Sequence, residues 1–228
     1  MHPRLDALPP PQRSLWPELR ATPRRFVLYG GTAIALRLAH RESEDFDFFS
    51  VEPLVGDDLL AGIPYLSEAM VVHRARNTLT CVVDRGGPVR VSFFGGLSLN
   101  HVDSPQTAEG AGVLVASLRD LGGTKAQVVQ SRALAKDYID VDALMRLGGV
   151  PLAAMLGAAA AIHGNRYNAM LTLKALTYFD DGDLAELPAE VRKRLSQTAA
   201  GVDPTSVPRY EPRPGLGAPS PRQEPRVP

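Results

Sequence analysis

Asp45 and Asp47 stand one residue apart in the run Asp45-Phe46-Asp47-Phe48-Phe49. In a strand, alternate residues face the same side, so the two carboxylates project together while Phe46 and Phe48 point to the other face. Carboxylates this close repel, and one pKa rises unless a cation sits between them. Magnesium takes hard oxygen ligands of this kind and keeps open positions for phosphate oxygens. Upstream, Gly30-Gly31-Thr32 lies where a strand meets a helix N-terminus. Glycine lets the backbone approach a phosphate, and the free N–H groups and helix dipole attract it. A Gly-Gly pair alone is usually a turn, and an Asp-x-Asp alone is usually a solvated strand face. Together, with a helix-length spacer and with Phe46, Phe48 and Phe49 beside the acids, they read as a triphosphate cradle and a metal-binding pair.

A second group is Lys125, Arg132, Lys136, Asp137 and Asp140. A near-continuous helix from Thr124 to Met145 would gather Lys125, Arg132 and Lys136 in a narrow stripe, with Asp140 about 60° round from Lys125. Such a stripe could neutralise a triphosphate and polarise a leaving pyrophosphate. It could equally be a solvated face with a Lys136–Asp140 ion pair at i, i+4, and spacing alone favours that.

The elements that must position these residues are α/β in front and helical behind. Phe26 to Tyr29 is a short apolar strand ended by Gly30-Gly31. Thr32 is a good N-cap for a helix over Ala33 to His40. A second strand covers Asp45 to Ser50, and Val55 to Ala69 reads as a helix interrupted at Pro64. Strands follow at Met70 to His73, Thr78 to Asp84 and Val89 to Phe94, with Gly86-Gly87 turning a hairpin. Helices are expected at Leu118 to Val129, Ala133 to Leu147, Leu152 to Ile162, Ala169 to Tyr178 and Ala189 to Ala199. Gly148-Gly149 before Pro151 marks a stop and a restart. The expected organisation is a flexible N-terminus over residues 1–12, an α/β core over 13–116, a helical part over 117–201 and a disordered proline-rich tail over 202–228. That tail draws on the last 26 residues, which hold eight of the twenty prolines and show no apolar periodicity.

Composition narrows the function classes. The 228 residues carry 25 basic and 25 acidic side chains, so no global field announces nucleic acid or a basic partner. One cysteine, Cys81, excludes an intramolecular disulfide and a cysteine-based zinc site. In its strand it reads as a small core residue. The five histidines show no metal-ligand spacing. Leu121-Gly122-Gly123-Thr124-Lys125 lacks full P-loop spacing and is set aside, except as a helix-start loop presenting Lys125. The longest apolar run, Pro151 to Ile162, is too short to span a bilayer. The expectation is a cytoplasmic protein without membrane contact.

The run Phe26-Val27-Leu28-Tyr29-Gly30-Gly31-Thr32-Ala33-Ile34-Ala35-Leu36, with His40-Arg41-Glu42-Ser43-Glu44-Asp45-Phe46-Asp47-Phe48-Phe49, resembles the AbiEii/AbiGii-type toxin nucleotidyltransferases. These belong to the DNA polymerase β-like superfamily. Lys136-Asp137-Tyr138-Ile139-Asp140 is similar to that family's later Lys/Arg-Asp-x-x-Asp element. The resemblance spans Phe26 to about Phe179. It implies a nucleotidyltransferase-like mixed sheet with a helical C-terminal part. It implies that Gly30, Gly31 and Thr32 hold an NTP, that Asp45 and Asp47 bind Mg²⁺, and that Lys125 and Asp140 are second-half active-site residues. It also implies transfer of NMP to an RNA, often tRNA, or to a protein, and a cognate antitoxin. One position departs. The superfamily's third carboxylate belongs on the strand Val89 to Phe94, where the inward polar residue is Ser92. Asp84, Asp137 or Asp140 are the alternatives. A lapsed fold acting as nucleotide sensor or protein-binding module is the competing reading, and a protein-only interaction module the third.

Overall fold

The computed structural model describes residues 1–219. In chain order the strands are β1 (Val27–Tyr29), β2 (Asp45–Phe49), β3 (Met70–Ala75), β4 (Thr78–Asp84), β5 (Pro88–Phe94), β6 (Asn100–His101), β7 (Gln106–Thr107), β8 (Leu114–Val115) and β9 (Arg213–Pro214). The helices are α1 (Pro10–Leu15), α2 (Gly30–Leu38), α3 (Gly56–Gly62), α4 (Leu118–Val128), α5 (Ala135–Arg146), α6 (Leu152–His163), α7 (Ala169–Ala175) and α8 (Ala189–Ala200). The class is mixed α/β. The chain divides into two compact units. Among the described residues, one comprises 1–99, 104–116 and 214–219; the other comprises 100–103 and 117–213.

The first unit is built on a seven-stranded mixed sheet in the order β3-β4-β5-β2-β1-β8-β7. β2 is central, antiparallel to β1 and parallel to β5. One sheet face is apolar: Leu28, Phe46, Phe48, Leu79, Cys81, Val91 and Phe93 are all fully buried. Phe48 stacks on Phe93 at 5.4 Å, and Phe26 meets Phe93 edge-on at 5.1 Å. Trp16 covers Phe46 at 6.3 Å and donates its indole N–H to the Glu109 carbonyl. Phe49 does not belong to this face. The pleat turns it to the opposite face, where it stacks on Tyr29 at 5.0 Å. Asp84 closes the β4–β5 hairpin by accepting from the Gly86 and Gly87 N–H groups at 2.9 and 3.0 Å.

The N-terminus corrects the expectation of a flexible segment. Pro10 opens α1, where proline's missing N–H costs nothing. Ala7, Leu8 and Gln12 are buried, and Gln12 donates to the Glu44 carbonyl at 2.8 Å. The tail is corrected in part. Asp203 caps the turn at Pro204–Ser206, the Pro208 carbonyl packs on Gly157, and the Arg119 guanidinium lies 4.9 Å from the Tyr210 ring. Residues 220–228 of the expected disordered tail lie outside the described residues.

The second unit is helical. Ser117 caps α4, its hydroxyl accepting from the Asp120 N–H at 3.0 Å. The buried Asp120 carboxylate accepts from the Val102 and Asp103 N–H groups at 2.7 and 2.9 Å, which ties residues 100–103 to these helices. The Gly122-Gly123 pair is therefore not a helix-start loop. It lies inside α4, where α6 approaches too closely for larger side chains. A Cβ on Gly123 would stand 2.8 Å from Ile162 Cδ1 and 2.9 Å from the Ala159 nitrogen. α6 is apolar nearly all round and buries Leu152, Met155, Leu156 and Ile162. Asp142 of α5 is clamped by Arg194 of α8 at 2.8 Å and Arg146 at 3.1 Å. Burial pushes its pKa up, but the two guanidiniums outweigh burial and hold it below the usual carboxylate range.

Two predictions follow from this packing. Gly123→Val forces the backbone of α6 away and is expected to cost about 1–3 kcal/mol, read from urea denaturation midpoints. His163, at the end of α6, has a buried Nε2 with no hydrogen-bond partner among the described residues. Burial, then the nearby Arg166 charge, pushes its pKa down from 6.5 to about 4. The unfolded chain therefore takes up a proton that the folded chain refuses between these values. The stabilisation is full above pH 6.5 and is lost as pH falls toward 4. Unfolding free energy at pH 7 and pH 4.5 is expected to fall by about 1–2 kcal/mol more in wild type than in His163→Gln, after discounting for partial exposure.

Candidate functional site

The register of the first unit places its chemistry. Asp47 is the Cα partner of Tyr29 on β1 and of Ser92 on β5, and Ser92 in turn faces Thr80 on β4. Asp45 is the partner of Arg90, which faces Val82. Paired residues share a sheet face, so Asp45, Asp47, Arg90, Ser92 and Thr80 lie on the face opposite Phe46 and Phe48. The expected projection of both carboxylates to one side therefore holds.

The β1–α2 junction meets this face. Gly30 has φ +76°, a backbone conformation that favours glycine, and a Cβ there would stand 2.7 Å from Asp47 Oδ2. The Arg41 guanidinium and the Ser43 hydroxyl crowd the Cβ position of Gly31 in the same way. The positive φ favours glycine at Gly30, and at Gly31 the Arg41 guanidinium lies on bare backbone. α2 starts at Gly30, three residues earlier than expected, and Thr32 is not its N-cap. The Thr32 side chain is buried, donates to the Asp45 carbonyl and is hydrogen-bonded to the Ser43 hydroxyl. It fastens the first turn of α2 to the start of β2, which keeps Gly30-Gly31 beside the carboxylates.

Asp45 and Asp47 are the groups here that could hold a divalent cation. They supply hard oxygen donors from one strand face, and Asp47 is aimed at a helix N-terminus that could receive phosphate. They form a two-carboxylate set: no cluster of three or more metal-ligating side chains occurs among the described residues. Ser92 is buried and lies within 3.3 Å of the Thr80 hydroxyl. Asp84 is committed to the hairpin turn. Arg90, with its Nε 3.6 Å from Asp45 Oδ1, and Arg41 are the cations that sequence reasoning missed. Arg90 was visible two residues before Ser92, on the same face by strand period.

In the second unit, Lys125, Asp137 and Asp140 meet in a buried cluster. Lys125 Nζ is 2.6 Å from Asp137 Oδ1 and 2.6 Å from Asp140 Oδ2, and both carboxylates are fully buried. Arg132 grips Asp137 through Nε at 2.7 Å and Nη2 at 3.0 Å. Two cations thus balance two carboxylates. The near-continuous helix that the stripe would require is absent, and the two separate helices expected here are present. α4 ends at Val128, and the turn before α5 carries Arg132 to the cluster, so the stripe of Lys125, Arg132 and Lys136 does not form. Lys136 is exposed and lies outside the cluster. Asp140 pairs with Lys125, the ion-pair partner expected for Lys136.

Among the described residues, no helix is long and apolar enough to cross a membrane. A protein of Aquifex aeolicus (strain VF5) with no described function is 29% identical over 158 residues, 68% of this chain and 74% of the relative. A crystal structure from H. pylori, provisionally described as a nucleotidyltransferase, covers 83% of this chain and 90% of its own at 16% identity and a TM-score of 0.47, too distant to carry an assignment. Residues 18–213 match the family described as nucleotidyl transferase AbiEii toxin, type IV toxin–antitoxin system. With a match over that span, laid on a sheet that carries Asp45 and Asp47 beside Gly30-Gly31, the chain belongs to the AbiEii nucleotidyl transferase toxin family.

Proposed function

We propose that this protein is a Mg²⁺-dependent nucleotidyltransferase, the toxin of a toxin–antitoxin pair. It transfers NMP from an NTP to an RNA, in our reading tRNA, or to a protein, and acts in the cytoplasm. The observation that carries the proposal is the placement of Asp45 and Asp47 on one face of β2, with Asp47 packed against Gly30 at the start of α2. In the reaction the acceptor hydroxyl gives up its proton to solvent as its oxygen bonds to the α-phosphorus, the bond from that phosphorus to the bridging oxygen breaks, and pyrophosphate leaves. The backbone N–H groups of Gly30 and Gly31 orient the triphosphate tail. Thr32 keeps that turn in register with β2. Asp45 and Asp47 would hold magnesium, which when bound stabilises charge on the phosphates.

Lys125 and Asp140 enter the proposal as second-half active-site residues, on family membership. Arg132 is engaged by Asp137, and Lys136 is given no part. A second reading is kept for one observation: Ser92 occupies the place beside Asp47 where the superfamily's third carboxylate belongs. In that reading the fold binds nucleotide without turnover, as a sensor or protein-binding module.

The test incubates the protein with each α-³²P-labelled NTP, Mg²⁺ and total bacterial tRNA, and follows label on RNA and protein. Wild type is expected to transfer label from one or more NTPs, and Asp45→Asn/Asp47→Asn to lose on the order of 10²-fold or more. Mg²⁺-dependent nucleotide binding without transfer would move the assignment to the sensor. Lys125→Met needs a different readout first. It leaves two buried carboxylates without their shared cation, and a loss of about 3–5 kcal/mol in unfolding free energy is expected before any activity is scored.

A further inference from the structure

We propose that Arg90 takes the place of a second metal ion: the site accepts one divalent cation on Asp45 and Asp47, and Arg90 binds the phosphates directly. This rests on the nucleotidyltransferase reading above. A second cation needs a further hard anionic ligand next to Asp47. The cross-strand position there is Ser92, a neutral hydroxyl lying against Thr80. Asp84 shares that sheet face by strand period but spends its carboxylate on the Gly86 and Gly87 N–H groups. Asp137 and Asp140 are closed on Lys125.

The charge is supplied by arginine instead. Arg90 stands two residues before Ser92, on the same face of β5, and its guanidinium reaches Asp45 at 3.6 Å. Its side chain is 54% exposed, so it is free to swing without disturbing the core. Arg41 lies against Gly31 on the other side of the carboxylate pair. Two carboxylates and two guanidiniums leave this part of the unit formally neutral. One divalent cation then makes it net positive, as an incoming triphosphate requires. A guanidinium presents planar paired donors that match phosphate oxygens, which lysine reproduces only as a point charge. The cation and Arg90 compete for Asp45 until phosphate arrives and gives Arg90 another anion.

The test uses the full chain with Mn²⁺ as a countable probe and inorganic tripolyphosphate as the phosphate probe, which removes base identity from the question. Electron paramagnetic resonance is expected to count one Mn²⁺ per chain, with or without one equivalent of tripolyphosphate. Arg90→Ala is expected to bind Mn²⁺ more tightly in the absence of phosphate, because Asp45 loses its competitor. It is expected to bind tripolyphosphate about tenfold more weakly in the presence of Mn²⁺, with partial recovery in Arg90→Lys. A structural role would move neither affinity in this opposed way. Two Mn²⁺ per chain with tripolyphosphate, or unchanged affinities in Arg90→Ala, would overturn the inference and leave the carboxylate-pair reading standing. No Mn²⁺ bound to wild type would overturn both.

Discussion

The alternation of β2 is the constraint on which the rest depends. Five residues, Asp45 to Phe49, sit at the centre of the sheet with a strand on each side. Phe46 and Phe48 are fully buried and in contact with Trp16 and Phe93, so the strand's rotation is fixed by apolar burial. A one-residue slip would put both rings on the polar face and both carboxylates in the core. The hydrophobic core thus aims Asp45 and Asp47 without touching them.

The second device is steric. At the β1–α2 junction, a carboxylate and a guanidinium pack on backbone that has no side chains of its own, at Gly30 and Gly31. Thr32, buried and bonded to the first residue of β2, turns a helix start into a rigid neighbour of the carboxylates. In this chain Gly30-Gly31-Thr32 and Asp45-Phe46-Asp47 are one structural unit, because each half packs on or bonds to the other.

Much of this was legible in the sequence. Period-two alternation found β2, β4 and β5 within a residue or two, since one buried face imposes it. Helical period found α4, α5, α7 and α8 for the same reason, and the Gly148-Gly149 stop before Pro151 marked the start of the apolar α6. The failures share a different cause. Thr32 looks like an N-cap locally, but its hydroxyl is used across the fold by β2 and Ser43. The break between α4 and α5 lies where it is expected, but α5 begins at Ala135 rather than Ala133. α5 is started by Asp183, which accepts from the Ala135 N–H at 2.6 Å across 48 residues of sequence. The first twelve residues read as loose because their contacts, such as Gln12 with Glu44, are equally non-local. Period reports burial, but it does not report which distant side chain satisfies an element's end.

The same distinction governs how charge is used in the two units. In the second, Lys125 is 6% exposed and contacts two fully buried carboxylates, so its charge is already spent inside the fold. Removing a member of such a cluster strands its partners in a medium that solvates them poorly, and stability falls whatever the cluster does in catalysis. In the first unit, Asp45 and Arg90 are 44% and 54% exposed, and solvent screens their attraction. A weak, exposed pair can be exchanged for a metal ion and a phosphate at little cost, and a buried one cannot. Arg90 escaped a motif-based reading because motifs record the acids. The strand register that sets this arginine beside Asp45 is what gives it a role in binding.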